Sequence, residues 1–128
     1  MSRSVYMLTL AAVIACASSG SGTSSARPHR EPNLITEQEI AASGETNALD
    51  VVTKLRPMFL KTRGRSTVNA GGSEYASVFV DGQFYGGLSS LRTINVSLIH
   101  EIRYLSGTEA VSKYGMRYGS GAVDVKSK

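Results

Sequence analysis

The chain has 128 residues, with 14 basic against 10 acidic side chains, a formal net charge of +4 and one cysteine. That length suits one small domain with a single, marginally stable core. The lone cysteine excludes an internal disulfide and a thiolate metal site, and so mild a charge balance makes no demand for a nucleic-acid partner.

The first four residues carry one positive charge, Arg3, and no acid. The apolar run from Val5 to Ala15 has the length of a signal-peptide core and is too short to cross a bilayer as a helix. It ends in Val13-Ile14-Ala15-Cys16. These four residues resemble the lipobox of bacterial lipoproteins: a branched aliphatic leads, a small residue precedes, and the cysteine thiol accepts a diacylglyceryl group before cleavage in front of it. The resemblance implies a lipoprotein signal peptide over 1–15 and lipid on Cys16. Two or more acyl chains make a stable anchor where one is marginal. The alternative is an ordinary secretory signal cut near Ala15 or Ala17. By similarity to lipoprotein sorting in diderm bacteria, the non-acidic Ala17 favours the outer membrane. Loss of Arg3 with the signal leaves 13 basic residues against 10 acidic, a charge of +3.

Residues 16–33 are rich in Ser, Gly and Pro and, from Ser18 onward, hold a single Ala as their only apolar side chain, which describes a flexible tether. The folded domain is expected over 34–128. Leu34-Ile35 is an apolar pair. Thr36 and Glu39 fit a capping box that opens a short helix through about Ala42, ended by Ser43-Gly44. Thr46 or Asn47 caps a second helix, Ala48 to about Leu55, with Leu49, Val52 and Leu55 on one face. Pro57 disfavours a helical Arg56 and closes it. Met58-Phe59-Leu60 reads as a short strand and Lys61 to Gly72 as a loop. Ser73 to Val80 alternates as a strand. Asp81-Gly82 is the strongest hairpin signal in the chain, returning through Gln83-Phe84-Tyr85 to Gly86-Gly87. Leu88 to Leu91 is a brief turn, and Asn95 caps a short helix over Val96 to His100. Glu101 to Leu105 is a strand, and Ser106 caps a helix from Gly107 to about Tyr114. The glycine-rich Gly115 to Gly121 leads into a last strand, Ala122 to Lys126. Strands and short helices without a βαβ rhythm predict an α+β fold with a small mixed sheet.

Two segments, Ile35 to Leu60 and Val78 to Lys128, resemble the plug domain of TonB-dependent outer-membrane receptors. The family pattern "ecdLLrrlPGv" falls on Asn47 to Met58 and "vlvDGvp" on Val78 to Tyr85. "IpaedIerIEVlrG" falls on Ile94 to Gly107 and "paSalYGsGAiGGvInI.T" on Thr108 to Ser127. There are departures. Pro57 stands where plugs often have Pro-Gly, Met116-Arg117-Tyr118 stretches the Tyr-Gly signature, and Ala122-Val123-Asp124 replaces the second glycine pair. In receptors a barrel of β-strands follows the plug. This chain ends at Lys128, and its tether holds no convincing TonB box. The resemblance therefore implies a small plug-like α+β domain without the transporter.

The side chains point to binding rather than catalysis. Asp81-Gly82 is turn chemistry, since both residues tolerate the left-handed conformation. Gly115, Gly119 and Gly121 follow a helix and precede a strand, the reverse of a dinucleotide fingerprint. His29 and His100 have no ligand constellation around them, so no metal and no cofactor are expected. No nucleophile elbow is present, so an enzyme is not expected. Lys61, Arg63 and Arg65 lie in the densest basic stretch and could contact an anionic surface, although basic residues at such places also guard strand edges. Phe84, Tyr85, Tyr114 and Tyr118 are the candidate partner surface. The expectation is a lipid-anchored plug-like module at the outer membrane, facing the periplasm. It has a protein partner in the envelope, no nucleic-acid partner, and an accessory place in TonB-dependent transport. The alternative is a lipoprotein that gathers a small ligand, a siderophore or glycan, between loops Lys61–Gly72 and Gly86–Thr93.

Overall fold

A computed structural model of the protein describes residues 30–62 and 74–128. The chain enters through a three-residue strand, β1 (Leu34–Thr36), and turns at once into α1 (Glu37–Ser43). The capping box is present: the Thr36 hydroxyl accepts from the Glu39 amide at 3.4 Å, and the Glu39 carboxylate accepts from the Thr36 amide at 3.3 Å. Gly44, at φ 72°, closes α1 in the left-handed conformation. Helix α2 (Ala48–Leu55) starts on Asn47, whose side chain accepts from the Asp50 amide at 3.0 Å. Its buried stripe is Ala48, Val51 and Val52, with Leu49 and Leu55 half-buried, so the inward face is rotated from the Leu49–Val52–Leu55 line expected.

Met58-Phe59-Leu60 is not a strand. Pro57–Leu60 is a 3-10 helix with Pro57 in its first turn, where the fixed φ of proline suits a helical start. The hairpin follows as β2 (Ser77–Val80) and β3 (Gln83–Gly87). Asp81 and Gly82 between them have φ 49° and 83°, the two positive values that a type I′ turn requires. Strand β2 is shorter than the Ser73–Val80 run expected, beginning at Ser77, and β3 continues through both glycines. Leu88–Thr93 is a 3-10 helix rather than a brief turn. Asn95 does cap a helical turn, but only Val96–Leu98. Strand β4 (Ile99–Leu105) then begins, so His100 lies on a strand, because Ile99 already pairs with Ser127. Helix α3 (Gly107–Tyr114) has the bounds expected and a second capping box, Ser106 with Glu109. A 3-10 helix, Met116–Tyr118, leads to β5 (Ala122–Ser127).

The five strands form one sheet in the order β1-β4-β5-β2-β3. Only the β5–β2 pair is parallel, so the sheet is mixed and the class is α+β. Strand alternation sends Val78, Ile102, Tyr104, Val123 and Val125 to one face, where α1, α2 and Phe59 cover them. Phe79, Leu105 and Ala122 point to the other face, where they meet Ala110 of α3 with Tyr114 and Tyr118 packed alongside.

Candidate functional site

The second face carries an aromatic cluster that reaches solvent at the β3 edge. Phe79 of β2 is its buried centre. It stacks on Tyr114 of α3 with ring centroids 3.7 Å apart, and takes edge contacts from Phe84 at 5.8 Å and Tyr118 at 4.9 Å. Phe84 and Tyr118 lie 6.0 Å apart. Phe84 is 59% exposed, and Met116, in the same 3-10 turn as Tyr118, is 68% exposed. Three of the four expected surface residues, Phe84, Tyr114 and Tyr118, therefore come together. Tyr85 does not join them. Strand alternation turns it to the opposite face, where its hydroxyl is 3.1 Å from Thr93 Oγ1 and its ring lines an apolar groove of about 240 Å³ with Val80, Ile94 and Leu98.

An ion pair holds α3 over the cluster. Alternation along β5 places Asp124 on the α3 face, where it is 3% exposed. Lys113 Nζ donates to Asp124 Oδ2 at 2.5 Å and lies 5.0 Å from the Tyr114 ring centroid. Asp124 Oδ1 and the Tyr114 hydroxyl are buried without a well-formed hydrogen bond. The hydrogen bond to Asp124 holds the Lys113 ammonium above the ordinary lysine value, and burial pushes the Tyr114 phenol up.

Both shifts act in the same direction on stability. The folded state binds each of these two protons more tightly than the unfolded chain. The stabilisation is complete below the ordinary values of 10.0 for tyrosine and 10.5 for lysine and is lost as pH rises through the folded ones. The melting temperature should therefore hold level through neutrality and fall above about pH 10. Because Lys113 is half exposed, solvent screening keeps its share modest. Melting curves of Lys113→Met from pH 8 to 11 should fall less steeply than wild type; an equally steep fall would remove Lys113 from the account.

The other expected site residues are dispersed. Lys61 is exposed just past the Pro57–Leu60 helix, while Arg63, Arg65, Cys16 and His29 lie outside the described residues. His100 Nδ1 is 3.2 Å from Glu37 Oε2, and Lys128 Nζ is 2.7 Å from Glu37 Oε1, an exposed cluster that joins β4, the start of α1 and the last residue, with His100 itself on a strand rather than on a helix. Most of Lys61–Gly72 is likewise outside the described residues, and Gly86–Thr93 forms the end of β3 and a 3-10 helix. A second cleft, of about 350 Å³, lies among β1, α1 and α2 and is floored by Leu34, Ala42 and Leu55, with Lys54 and Arg30 at its edge. Among the described residues no three His, Cys, Asp or Glu side chains gather as metal ligands. Among the same residues no helix is long and apolar enough to cross a membrane.

Sequence reasoning missed Asp124 as the α3 anchor and Phe79 as the cluster's centre. The available signal was the strict alternation of Ala122-Val123-Asp124-Val125, which sets the acid opposite the valines. Compared with protein-family models, with curated proteins and with solved structures, the chain matches none of them.

Proposed function

We propose that the chain is a lipid-anchored, plug-like binding module of the cell envelope. It is held at the outer membrane through Cys16, faces the periplasm and engages a protein partner as an accessory to TonB-dependent transport. The observation that carries the binding role is the aromatic patch. Phe84 stays 59% exposed although Phe79 and Tyr118 pack against it, and rigid aromatics of this kind supply large contact area at low entropic cost. The likeness to receptor plugs is supported by where its quoted blocks fall. Asn47–Met58 covers α2 and the start of the following 3-10 helix, and Val78–Tyr85 takes in most of the hairpin. Ile94–Gly107 covers β4 with its lead-in, and Thr108–Ser127 covers α3 and β5. The anchor rests on the apolar run and lipobox from Val5 to Cys16. In this reading lipid on Cys16 holds the domain at the membrane.

The test is fractionation of cells that express Cys16→Ser. Wild type should sediment with membranes and incorporate labelled fatty acid. Cys16→Ser should move to the soluble fraction with an unchanged melting temperature, because Cys16 precedes Ile35, the first buried core residue described, by 19 positions in the sequence. A Cys16→Ser protein that stays with the membrane would end the anchor reading.

A further inference from the structure

The exposed apolar side chains are concentrated at one end of the sheet. Phe84, Tyr85, Leu98 and Met116 are four of the six large apolar side chains exposed among the described residues. They lie around β3, the last strand in the sheet, which is paired with β2 on one side only. Proteins normally protect such an edge with lysine, proline or extreme shortness. The other edge strand, β1, follows that rule: it has three residues and is flanked by the Arg30–Glu39 and Arg56–Glu39 ion pairs. β3 has five residues, Gln-Phe-Tyr-Gly-Gly, with no charge and no proline.

Val80 and Gln83 close the two-residue turn as a directly opposed pair, so the next residue, Phe84, turns its backbone N–H and C=O outward. A register shift between Val78 and Phe79 interrupts the ladder after that point. It limits any added pairing to a short stretch, which disfavours open-ended stacking of copies. Side chains flank the edge on both faces. Tyr118 sits on Phe84, and Tyr85 is tied to Thr93. Next to each of these contacts is an exposed arginine: Arg117 precedes Tyr118, and Arg92 precedes Thr93. Neither arginine has a carboxylate within ion-pair distance among the described residues, whereas Lys113 and Lys126 do. Two exposed arginines thus lie one residue along the chain from side chains that touch β3, and an uncharged edge with such neighbours is complementary to a strand with an apolar centre and acidic flanks. A second copy of this chain would bring its own Arg92 and Arg117 to the same seam.

We infer that β3 is the docking edge for an extended segment of a partner protein, which adds as a sixth strand, with carboxylates beside its apolar residues meeting Arg92 and Arg117. This rests on the proposed binding role and names its mode.

The experiment is hydrogen exchange on the full chain, wild type and Cys16→Ser alike, so that loss of the anchor reading leaves the result intact. The probes are three synthetic peptides sharing an alternating Val/Thr core. One has Asp and Glu at its ends, one has Lys there, and one is acidic but N-methylated on alternate residues. The acidic peptide should slow exchange in β3, first at Phe84. The lysine peptide should bind about tenfold more weakly. The N-methylated peptide, which lacks the pairing donors, should give no protection. Phe84→Ala, which keeps the backbone, should weaken the acidic peptide by about tenfold. The proposal is overturned if the acidic peptide protects residues elsewhere or none, if the lysine or N-methylated peptide protects β3 equally, or if β3 becomes protected with rising protein concentration alone. The last result would assign the edge to a second copy.

Discussion

Replacing Phe59 with alanine should lower the unfolding free energy by about 3–5 kcal/mol, the range for a buried phenylalanine truncated to a methyl group. Phe59 has no exposed surface and stacks on Tyr104 of β4 with centroids 5.1 Å apart and planes at 22°. It belongs to the main core with Val51, Val52, Val78 and Ile102 and joins the helical layer to the sheet. Its backbone stands in a short 3-10 helix, where Phe59 N donates to Arg56 O at 3.0 Å. A small domain has only about 5–15 kcal/mol in all. The variant should therefore unfold at a much lower urea midpoint with an unchanged m-value. Met58→Ala is the control. Its side chain is exposed, and its cost should stay within about 0.5 kcal/mol. Equal midpoints for the two variants would show that Phe59 is not the joint between the layers.

Gly121→Ala should cost roughly 2–5 kcal/mol, combining backbone strain with overpacking. Gly121 has φ 100°, a conformation that side chains rarely adopt. A Cβ there would lie 2.6 Å from the Tyr104 hydroxyl and 2.9 Å from the carbonyl oxygen of Leu105. That carbonyl cannot move aside cheaply, because Leu105 pairs with Ala122 in the β4–β5 ladder. Gly121 also starts the parallel seam, since its carbonyl accepts from Ser77 N at 3.1 Å and its amide donates to Tyr118 O at 2.9 Å. The damage should thus spread to β2 and to the Tyr118 turn, and so to both supports of the aromatic patch. Gly82→Ala separates the two causes. It has φ 83° but open space around the position, so strain alone applies and the loss should be about 1–2 kcal/mol. Thermal melts of the two variants decide the matter: a Gly121→Ala loss no larger than that of Gly82→Ala would remove the steric part of the account.

What the sequence by itself determined was set by contacts among near neighbours. The boxes Thr36–Glu39 and Ser106–Glu109, the Asn47 cap, the left-handed Gly44 and the Asp81-Gly82 turn are each closed within about one turn of chain, so residue type and spacing suffice to read them. Helix α3 accordingly has the bounds expected, and the mix of short helices and strands announces an α+β fold. The tertiary structure decided the rest. Three apolar residues at 58–60 carry too few periods to separate strand from helix, and the outcome depends on Phe59 reaching Tyr104. Leu34–Thr36 became a strand because β4 offered an edge far along the chain, and His100 became a strand residue because Ser127 lies opposite Ile99. The four aromatics of the expected surface divided three to one because Phe84 and Tyr85 are consecutive on a strand and α3 covers only one face. Asp124 could be assigned to the face opposite the valines from alternation alone. That Lys113 would meet it there follows only from where α3 packs, since a pair separated along the chain has no spacing rule to reveal it.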